Sequence, residues 1–299
     1  TTLIEAAKQI NFPDKGEVQI KTFEWSSDLK KEQFQEKILL IEKNGPEAVD
    51  IPAGILEEIV EADYLLVHIA PVSKKMIEAA QQLKLIGTCR GGLEHLALES
   101  IKAKNIPLIH VIRNAEPVAD FTIGLMYAET RNIARAHNAI KNGEWRKGFS
   151  NDPYKTVLAN HTVGLLGLGY IGKLVVKRLN GLGVKVIAYD PFVDMAKIKA
   201  EGLDVTLHDL NTVVSQADIL SLHMRLSPET ENMINKDIIN QMKPGSYIIN
   251  TARAGVLHKG DLIEALQNKR IAGAALDVSW VEPIEPGDPP LSLDNITLT

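Results

Sequence analysis

Short apolar runs alternate with polar, helix-like segments through the first third of the chain. The runs are "EVQIKTFEW", "YLLVHIA", "LKLIGT" and "IPLIHV", and the segments between them include "SKKMIEAAQQ" and "LALESIKAKN". Runs rich in β-branched and aliphatic residues are typical of strands, and strand, helix, strand at this spacing is typical of parallel sheets with right-handed crossovers. The first third therefore predicts a parallel α/β sheet.

The longest helical pattern covers residues 118–141, "VADFTIGLMYAETRNIARAHNAIK". Apolar residues recur three and four positions apart, which places them on one face of a helix, and Gly124 is the one glycine or proline inside the segment. The pattern predicts one long helix, which we expect to join two domains.

A second alternating series follows this helix. Its apolar runs are "TVGLLG", "VKVIAYD", "ILSLHM", "GSYIIN" and "IAGAALDV", each separated from the next by a helix-like segment. Each run is apolar over nearly its whole length, as expected for strands that helices cover on both faces. Both parts of the chain are therefore predicted to be α/β.

Length and charge limit the classes of protein to which the chain can belong. Its 299 residues are 45% hydrophobic and 24% charged, enough for two cores of ordinary size, so we expect two domains. The formal net charge is −5 and the basic residues are scattered, which argues against a nucleic-acid partner. No window holds the roughly 18 consecutive apolar residues of a membrane span, and the first residues lack a signal pattern. One cysteine, Cys89, allows neither an internal disulfide nor a cysteine metal cluster, so we expect a cytoplasmic protein with no membrane partner and no metal site.

The segment "TVGLLGLGYIGKLVVKRLNGLGVKVIAYD" places Gly167, Gly169 and Gly172 between a predicted strand and a predicted helix. In this G-x-G-x-x-G order the first glycine permits a tight turn, the second lets backbone approach a pyrophosphate, and the third lets the helix pack close to the strand. Asp190 ends the second strand, where a carboxylate accepts hydrogen bonds from ribose hydroxyls and repels the extra phosphate of NADP. The pattern therefore predicts NAD; the alternative is a glycine-rich turn without a ligand.

Arg253 lies in the small-residue loop "TARAG" after the apolar run "GSYIIN". Ligands of open α/β sheets bind at the carboxyl ends of the strands, and a guanidinium offers two parallel hydrogen bonds to a carboxylate. His223, Thr251, Asp277 and Glu282 follow predicted strands in the same way. The pattern favours a carboxylate ligand for Arg253; the alternative is a surface arginine that solvates the loop or pairs with Glu282.

Four ordered segments of the second half carry the most specific signal. They are "GLLGLGYIGKLVVKRLNGLG", "SLHMRLSPETENMIN", "MKPGSYIINTARAGVLHKGDLIEAL" and "GAALDVSWVEP". In this order they resemble the motifs of the D-isomer-specific 2-hydroxyacid dehydrogenases, the family of D-lactate, glyoxylate/hydroxypyruvate and D-3-phosphoglycerate dehydrogenases. "NAEPVADFTIGLMYAETR" resembles the helix that leads into the family's cofactor domain, and "LIGTCRGGLEH" resembles its substrate loop. The resemblance runs from about residue 60 to the end of the sequence.

This resemblance implies two doubly wound parallel-sheet domains. They would be a flavodoxin-like substrate-binding domain over residues 1–113, completed by the C-terminal segment, and a Rossmann NAD-binding domain over residues 114–299. It implies an NAD-dependent dehydrogenase that transfers a hydride between NAD(H) and a 2-oxo acid / D-2-hydroxy acid pair, as a homodimer formed mainly through the cofactor domains. The alternatives are D-3-phosphoglycerate dehydrogenase activity, a catalytically inactive NAD-sensing binding protein on the same scaffold, and a related dehydrogenase acting on formate or phosphonate.

The resemblance also assigns roles to individual residues. Arg253 would bind the carboxylate of the acid and polarise the reacting carbonyl, and Glu282 would pair with a catalytic histidine and raise its pKa. The residues implied to bind the cofactor are Gly167, Gly169, Tyr170, Ile171, Gly172, Asp190, His223, Met224, Thr251, Ala252 and Asp277. The residues implied to bind the substrate are Arg90, Gly91 and Gly92.

The acid/base group of the reaction is missing from these assignments. A carbonyl that accepts a hydride must also receive a proton, and histidine is the natural donor near neutral pH. The family's histidine stands in an N-[VI]-x-x-T-P-H motif, of which this sequence contains residues 295–299, "NITLT". We expect the histidine just after Thr299, and we expect the sequence to be shortened there and to lack the first strand of the substrate domain. If Thr299 were the true end, the inactive alternative would be favoured.

None of the eight histidines of the sequence is expected to replace it. His68 and His110 stand at the ends of apolar runs and are expected at the edge of a core. His223 is expected to contact the cofactor. The remaining five are expected on loops or helix surfaces: His95, His137, His161, His208 and His258.

Two segments depart from the family's pattern. The substrate loop is "RGGLEHLAL" rather than a glycine-rich turn followed by D-N-[VI]-D, and Arg225 replaces the usual proline in "HMRL". Arg90 would either add a cation for a phosphorylated or second-carboxylate substrate or only solvate the loop. If the substrate carries a phosphate, the candidates to bind it are Arg90, Lys74 and Arg113.

Overall fold

The computed structural model describes residues 2–10, 18–112 and 114–299. The chain forms two compact units, Thr1–Arg113 and Asn114–Thr299. Both contain parallel strands joined by helices, so the predicted α/β class is confirmed. None of the described helices has the length and apolar character that crossing a membrane requires.

The first unit is built around a three-stranded parallel sheet. Its strands lie in chain order and are β1 (Tyr64–Val67), β2 (Leu85–Thr88) and β3 (Leu108–His110). Its α-helices are α1 (Thr2–Lys8), α2 (Lys31–Asn44), α3 (Ile55–Glu58), α4 (Lys74–Ala79) and α5 (Leu98–Ala103). Val67, Ile77, Ile86 and Ile101 are buried where these strands and helices pack together.

The strand predicted over "EVQIKTFEW" is wrong for its described residues, 18–25, which form neither strand nor helix. Val18 and Ile20 are 51% and 38% exposed, so these two alternating apolar residues do not face a core. The segment is held by a side chain instead, because the Trp25 indole Nε1 donates a hydrogen bond of 2.7 Å to the carbonyl of Asp50. Apolar alternation predicts a strand only when one face of the segment has a core to cover.

The second unit contains a seven-stranded parallel sheet in the order β10-β9-β8-β7-β4-β5-β6. Its strands are β4 (Thr162–Leu166), β5 (Lys185–Tyr189), β6 (Thr206–Leu207), β7 (Ile219–Leu222), β8 (Tyr247–Asn250), β9 (Gly273–Leu276) and β10 (Ile296–Leu298). Its α-helices are α6 (Ala115–Thr130), α7 (Ile133–Lys141), α8 (Tyr170–Gly181), α9 (Met195–Ala200), α10 (Leu210–Gln216), α11 (Lys236–Gln241) and α12 (Lys259–Gln267).

The strand order of this sheet reverses between β4 and β7. From β4 the chain adds β5 and then β6 on one side, and it returns to add β7, β8, β9 and β10 on the other. Right-handed crossovers on both sides of β4 place helices on both faces of the sheet, which is the doubly wound arrangement. The ends of β4 and β7 therefore define a switch point, where such sheets leave room for a ligand.

Successive residues of a central strand enter opposite cores. Ile249 packs with buried residues of α6 and α8, and Ile248 packs with buried residues of α10, α11 and α12. Every residue of β7, β8 and β9 is buried. This burial explains why these strands are apolar throughout rather than alternating.

Two short edge strands, β6 and β10, were not predicted from the sequence. β6 has two residues and β10 has three, which is too few to give a recognisable pattern. β10 extends the sheet beyond β9 through the parallel pairs Ile296↔Ala274 and Thr297↔Ala275. The segment recognised only as the start of a motif is thus a strand of the sheet.

The single helix predicted over residues 118–141 is wrong, because α6 ends at Thr130 and α7 begins at Ile133. Asn132 separates the two helices with φ of +56°, in the left-handed region that asparagine tolerates better than most residues. Its side chain is buried, and its Nδ2 donates a hydrogen bond of 2.7 Å to Oδ1 of Asn151. The break thus depends on a partner far along the chain, which helical periodicity does not register.

Glu129, near the end of α6, is fully buried. Its carboxylate contacts the guanidinium of Arg135 and accepts a hydrogen bond of 2.8 Å from the Thr297 hydroxyl. Arg135 also donates to the carbonyl of Asp294, just before β10. Burial raises the pKa of Glu129 to about 7, although Arg135 acts in the opposite direction. These contacts fasten β10 to the first helix of its own unit.

Glu129→Gln keeps the shape of this side chain and removes its titration. A carboxyl whose pKa is higher in the folded than in the unfolded chain stabilises the fold most at low pH, where it is protonated. The unfolding free energy of the wild type, relative to Glu129→Gln, should therefore fall as the pH rises from 4.5 to about 7 and then level off. The total change should be about 3 kcal/mol, since one pKa unit corresponds to roughly 1.4 kcal/mol. Urea unfolding of both proteins across this range measures it, and a difference that is constant or rises with pH would contradict the assignment.

Candidate functional site

Five neighbouring strands of the second unit end at one edge of the sheet, and a candidate residue follows each of them. Gly167 follows β4, Asp190 follows β5, His223 follows β7, Thr251 follows β8 and Asp277 follows β9. Because the strands are parallel and adjacent, their carboxyl ends share this edge. Residues that are far apart in the sequence therefore meet around the switch point.

The glycine loop connects β4 to α8, and each glycine has a different geometric role. Gly167 has φ of +98°, and a side chain there would lie 2.7 Å from the carbonyl oxygen of His223. Gly169 caps the amino end of α8, and a side chain there would meet nothing within 4 Å. A side chain at Gly172 would overlap the carbonyl oxygen of Gly167. The loop thus turns tightly, packs closely on the sheet, and leaves open space where backbone N–H groups of α8 begin.

Asp190 holds this loop in place with both of its carboxylate oxygens. Oδ2 accepts a hydrogen bond of 2.8 Å from the backbone N–H of Leu168, and Oδ1 accepts one of 2.9 Å from that of Phe192. A carboxylate oxygen can accept more than one hydrogen bond, so these bonds leave it able to accept from sugar hydroxyls as well. The position therefore combines a structural role with negative charge beside the glycine loop.

His223 and Met224 run along the glycine loop just after β7. The backbone N–H of His223 donates to the carbonyl of Leu166 at 2.8 Å, and its Nε2 lies 2.9 Å from the Ser221 hydroxyl. Burial lowers the pKa of His223 to about 4. The imidazole is therefore neutral near pH 7 and contributes shape and hydrogen bonding rather than charge.

Two of the other histidines do not lie on the surface, where they were expected. His95 and His161 are buried, at 2% and 6% exposure, rather than on the surface as predicted. His95 Nε2 lies 2.9 Å from the Thr88 hydroxyl, and burial lowers its pKa to about 4. Burial also lowers the pKa of His161. Both are packing residues: His95 pairs with Thr88, and the ring of His161 packs edge-on against Tyr247, and the sequence pattern reveals neither partner.

The turn that carries Arg253 is ordered by Asn250, the last residue of β8. Asn250 Oδ1 accepts from the backbone N–H of Ala252 at 3.0 Å, and its Nδ2 donates to the carbonyl of Arg253, also at 3.0 Å. Arg253 Nη1 in turn donates to the carbonyl of Ala252 at 3.0 Å. The sequence did not single out Asn250, although an asparagine before small residues at a strand end is typical of a turn that a side chain stabilises.

A second residue that the sequence did not single out is Thr122, in the middle of α6. Its hydroxyl lies 2.9 Å from the hydroxyl of Thr251, and both side chains are buried. The contact fixes the rotamer of Thr251 at the end of β8. The two residues are 129 positions apart, so no local signal could have paired them.

Asp277 joins the ends of β8, β9 and β10. Its backbone N–H donates to the carbonyl of Asn250 at 3.0 Å, and one of its carboxylate oxygens accepts a hydrogen bond of 3.3 Å from the Thr299 hydroxyl. Burial raises the pKa of Asp277, with a further contribution from the nearby charge of Glu282. Glu282 Oε1 accepts from the backbone N–H of Ser279 at 3.2 Å, which orders the loop after β9.

The predicted substrate residues Arg90, Gly91 and Gly92 lie in the first unit, in the loop after β2. The Arg90 guanidinium forms an ion pair of 3.5 Å with Glu42 of α2, and both side chains are about three-quarters buried. A side chain at Gly92 would overlap the carboxylate of Glu94. The loop therefore carries acidic groups beside its arginine, so its positive charge is compensated.

The other two residues considered for a phosphate add little to this loop. Lys74 forms an exposed ion pair of 3.6 Å with Glu78, one turn along α4. Arg113 lies outside the described residues. Within residues 2–10, 18–112 and 114–299, no group of three or more His, Cys, Asp or Glu side chains is arranged to hold a metal ion.

Comparison with known proteins agrees with this architecture. Residues 123–299 match the family described as D-isomer specific 2-hydroxyacid dehydrogenase, NAD binding domain. This range covers the whole seven-stranded sheet and the second half of α6. The glycine loop and Asp190 thus lie inside a recognised NAD-binding domain.

Individual relatives extend the similarity into the first unit. The hydroxypyruvate reductase of Thermotoga maritima is 38% identical over 251 residues, which are 82% of this chain and 79% of that protein. The D-3-phosphoglycerate dehydrogenase of Methanocaldococcus jannaschii is 36% identical over 271 residues, 88% of this chain but 50% of that protein. The chain therefore spans about half the length of the phosphoglycerate dehydrogenase relative.

A solved structure with a related sequence has a similar fold. The D-lactate dehydrogenase from Aquifex aeolicus, complexed with NAD and lactic acid, matches with a TM-score of 0.66 and 27% identity. The match covers 82% of this chain and 77% of that chain.

Asp190→Asn tests the cofactor preference of this site. Asparagine keeps one side-chain acceptor for the loop but removes the negative charge that would repel a 2′-phosphate. We expect weaker NADH binding and an NADPH-to-NADH affinity ratio raised by about tenfold, measured by fluorescence titration with both cofactors. Asp204→Asn, which neutralises an exposed carboxylate before β6 at the opposite edge of the sheet, is the matched control. An unaltered preference in Asp190→Asn would contradict the assignment.

Proposed function

Because the chain belongs to the D-isomer specific 2-hydroxyacid dehydrogenases, we propose that it transfers a hydride between NAD(H) and a 2-oxo acid / D-2-hydroxy acid pair. One observation carries the proposal: the glycine loop, Asp190, Arg253 and Asp277 follow strands that end at one edge of a single sheet. A dinucleotide and a small acid can only react if both bind at the same place. The shared edge supplies such a place.

The residues present fit a dinucleotide at this edge. The open space at Gly169 lets the backbone N–H groups at the start of α8 approach a pyrophosphate, and the helix dipole favours the negative charge. The Asp190 carboxylate lies beside the loop, where it would accept from ribose hydroxyls. When bound, NAD supplies or accepts the hydride. The chain's own contribution is to bind the cofactor, orient the acid and manage the proton.

Arg253 is proposed to bind the carboxylate of the acid and to polarise the carbonyl that reacts. A guanidinium presents two N–H groups in the geometry of a carboxylate, so it can fix the orientation of a small acid as well as its charge. The Asn250 turn and the Arg253–Ala252 hydrogen bond hold the side chain beside the strand ends. Thr251 and Asp277 are proposed to contact the nicotinamide end of the cofactor.

The proton remains to be placed. We propose that a histidine following Thr299 is the acid/base group and that Glu282 accepts a hydrogen bond from it, which would raise its pKa. β10 runs parallel to β9, and the backbone N–H of Thr299 donates to the carbonyl of Leu276 at 3.1 Å. The chain thus reaches Thr299 at the same edge as Asp277, which supports this placement.

The substrate class within the family is a narrower proposal. Relatives named D-3-phosphoglycerate dehydrogenase favour a phosphorylated acid. The ion pair between Arg90 and Glu42 favours a substrate without a phosphate, because it compensates the loop's arginine. We propose a small unphosphorylated 2-oxo acid, with the phosphorylated acid as the second candidate. Arg90, Gly91 and Gly92 remain the residues predicted to hold it.

A screen of NADH oxidation by the full-length protein tests the proposed activity. The acids are glyoxylate, hydroxypyruvate, pyruvate, longer 2-oxo acids and 3-phosphohydroxypyruvate. For the best acid, Arg253→Ala should lower kcat/KM by about 10²–10³-fold, since one charge-assisted transition-state contact is lost. NADH affinity should stay unchanged, and Arg253→Lys should recover only part of the loss because it keeps the charge without the fork.

The outcomes of this screen separate the alternatives. Turnover that survives in Arg253→Ala would remove that residue from the mechanism. NADH binding without turnover of any acid would favour the NAD-sensing binding protein. A preference for 3-phosphohydroxypyruvate would favour the phosphoglycerate dehydrogenase activity and would contradict the role given to Glu42.

We also propose that the protein is a homodimer formed through the second unit, and we keep the cytoplasm as the predicted compartment. One face of α7 supports the dimer. Ile133, His137 and Ile140 lie four and three residues apart, so they share a face, and both isoleucines are more than half exposed. Trp145, just beyond the helix, is 78% exposed. Such a group of large apolar side chains is typical of an interface.

Ile140→Glu should dissociate the dimer. A carboxylate buried in an apolar interface would lack a partner, so we expect the dimer affinity to fall by at least about tenfold. Light scattering with size-exclusion chromatography measures the mass at several concentrations. Leu291→Glu is the matched control, because Leu291 and Ile140 are both 52% exposed in the same unit. A dimer that persists in Ile140→Glu, or that is lost equally in the control, would count against this face.

A further inference from the structure

The loop that follows β7 packs directly against the glycine loop. A side chain at Gly167 would lie 2.7 Å from the carbonyl oxygen of His223 and 3.0 Å from the backbone nitrogen of Met224. Arg225 is the next residue, and its side chain is exposed. The long basic side chain of Arg225 therefore begins one residue after the segment that contacts the glycine loop.

The backbone at Arg225 is held in one position. Its carbonyl oxygen accepts a hydrogen bond of 2.6 Å from the Thr230 hydroxyl, which in turn accepts one of 2.8 Å from the backbone N–H of Ser227. A side chain on a fixed backbone loses less conformational freedom when it binds.

Three other basic residues near the glycine loop, Lys173, Arg178 and His223, are already paired or are neutral near pH 7. Lys173, in the first turn of α8, forms an ion pair of 2.5 Å with Glu201. Arg178, two turns along, pairs with Glu116 and with Asp120. His223 is neutral near pH 7, as described above. In contrast, the one hydrogen bond of Arg225 within the described part of the chain is made by its backbone carbonyl, and its side chain makes no ion pair there.

A pyrophosphate carries two negative charges. The start of a helix supplies only about half a unit of positive charge through its dipole, and Asp190 adds a negative charge nearby. A guanidinium matches the geometry of phosphate oxygens and is more weakly hydrated than an ammonium. The helix dipole therefore does not neutralise the two negative charges of the pyrophosphate. The guanidinium of Arg225 can supply the missing positive charge.

We propose that Arg225 is a further cofactor-binding residue whose guanidinium pairs with the pyrophosphate of the dinucleotide at the glycine loop. The inference rests on the proposed binding of NAD, but not on catalysis. Arg225 is the arginine of "HMRL", at a position where the family usually has proline. The proposal gives this difference from the family a function.

Fluorescence titration with NADH tests this role without any turnover. At low ionic strength Arg225→Gln should weaken NADH binding by about tenfold, and the effect should shrink at about 0.5 M salt, because salt screens the pair. Arg225→Lys, which keeps the charge, should recover part of the affinity. Lys185→Gln is the matched control, because Lys185 is an exposed cation at the opposite edge of the same sheet, where β5 begins. Equal thermal unfolding of the variants would exclude a loss of fold.

Two probes identify the part of the cofactor that Arg225 contacts. ADP-ribose retains the pyrophosphate and lacks the nicotinamide, so Arg225→Gln should weaken its binding as much as that of NADH. Adenosine has no phosphate, so its binding should not change. An equal loss for adenosine would show stacking on the base and would overturn the proposal, as would unchanged NADH binding in Arg225→Gln. If the wild type bound no NADH at all, the proposed function itself would fail.

Discussion

The close approach between Gly167 and the backbone of His223 is the constraint on which the site depends. The two residues follow β4 and β7, the strands between which the sheet changes direction. A side chain at Gly167 would meet the His223 carbonyl and would also strain a left-handed backbone. Only glycine lets the loop pack this closely across the switch point. This packing brings the open start of α8 and the Asp190 carboxylate to the same edge of the sheet. The cofactor site therefore depends first on the close packing of backbone at Gly167, which brings its chemical groups together.

Buried polar contacts hold the groups around this loop. Asn250 orders the Arg253 turn from the end of β8, and Thr122 supports Thr251 from a different helix. Neither residue is proposed to touch a ligand. They fix Arg253 and Thr251, which are proposed to touch ligands. A buried hydrogen bond costs more to lose than an exposed one because no water replaces it. The site is therefore supported by the sheet and by α6 together.

The sequence predicted the elements whose structure depends on residues close together in the chain. It did not predict the positions of residues that depend on partners far along the chain. Strands buried on both faces were visible as apolar runs, and the strand, glycine loop, helix and Asp190 were visible in order. The break at Asn132 was not, because a helix interrupted by a buried asparagine keeps its apolar periodicity on both sides. The burial of His95 depends on Thr88, and the pairing of Arg90 depends on α2. The strand proposed near Val18 failed because alternation does not state whether a core is present. The roles of Arg253 and Glu282 rest on the family resemblance together with their places at the strand ends.

The contact between Glu129 and Thr297 has a consequence for how the second unit is made. It joins residues 168 positions apart, one on the unit's first helix and the other on its outermost strand. Loop closure over such a distance is slow compared with forming a helix or a single crossover. During synthesis α6 leaves the ribosome early, with a carboxyl at Glu129 whose partner strand has not yet been made. The second unit therefore reaches its final packing only after nearly all of its residues have been synthesised.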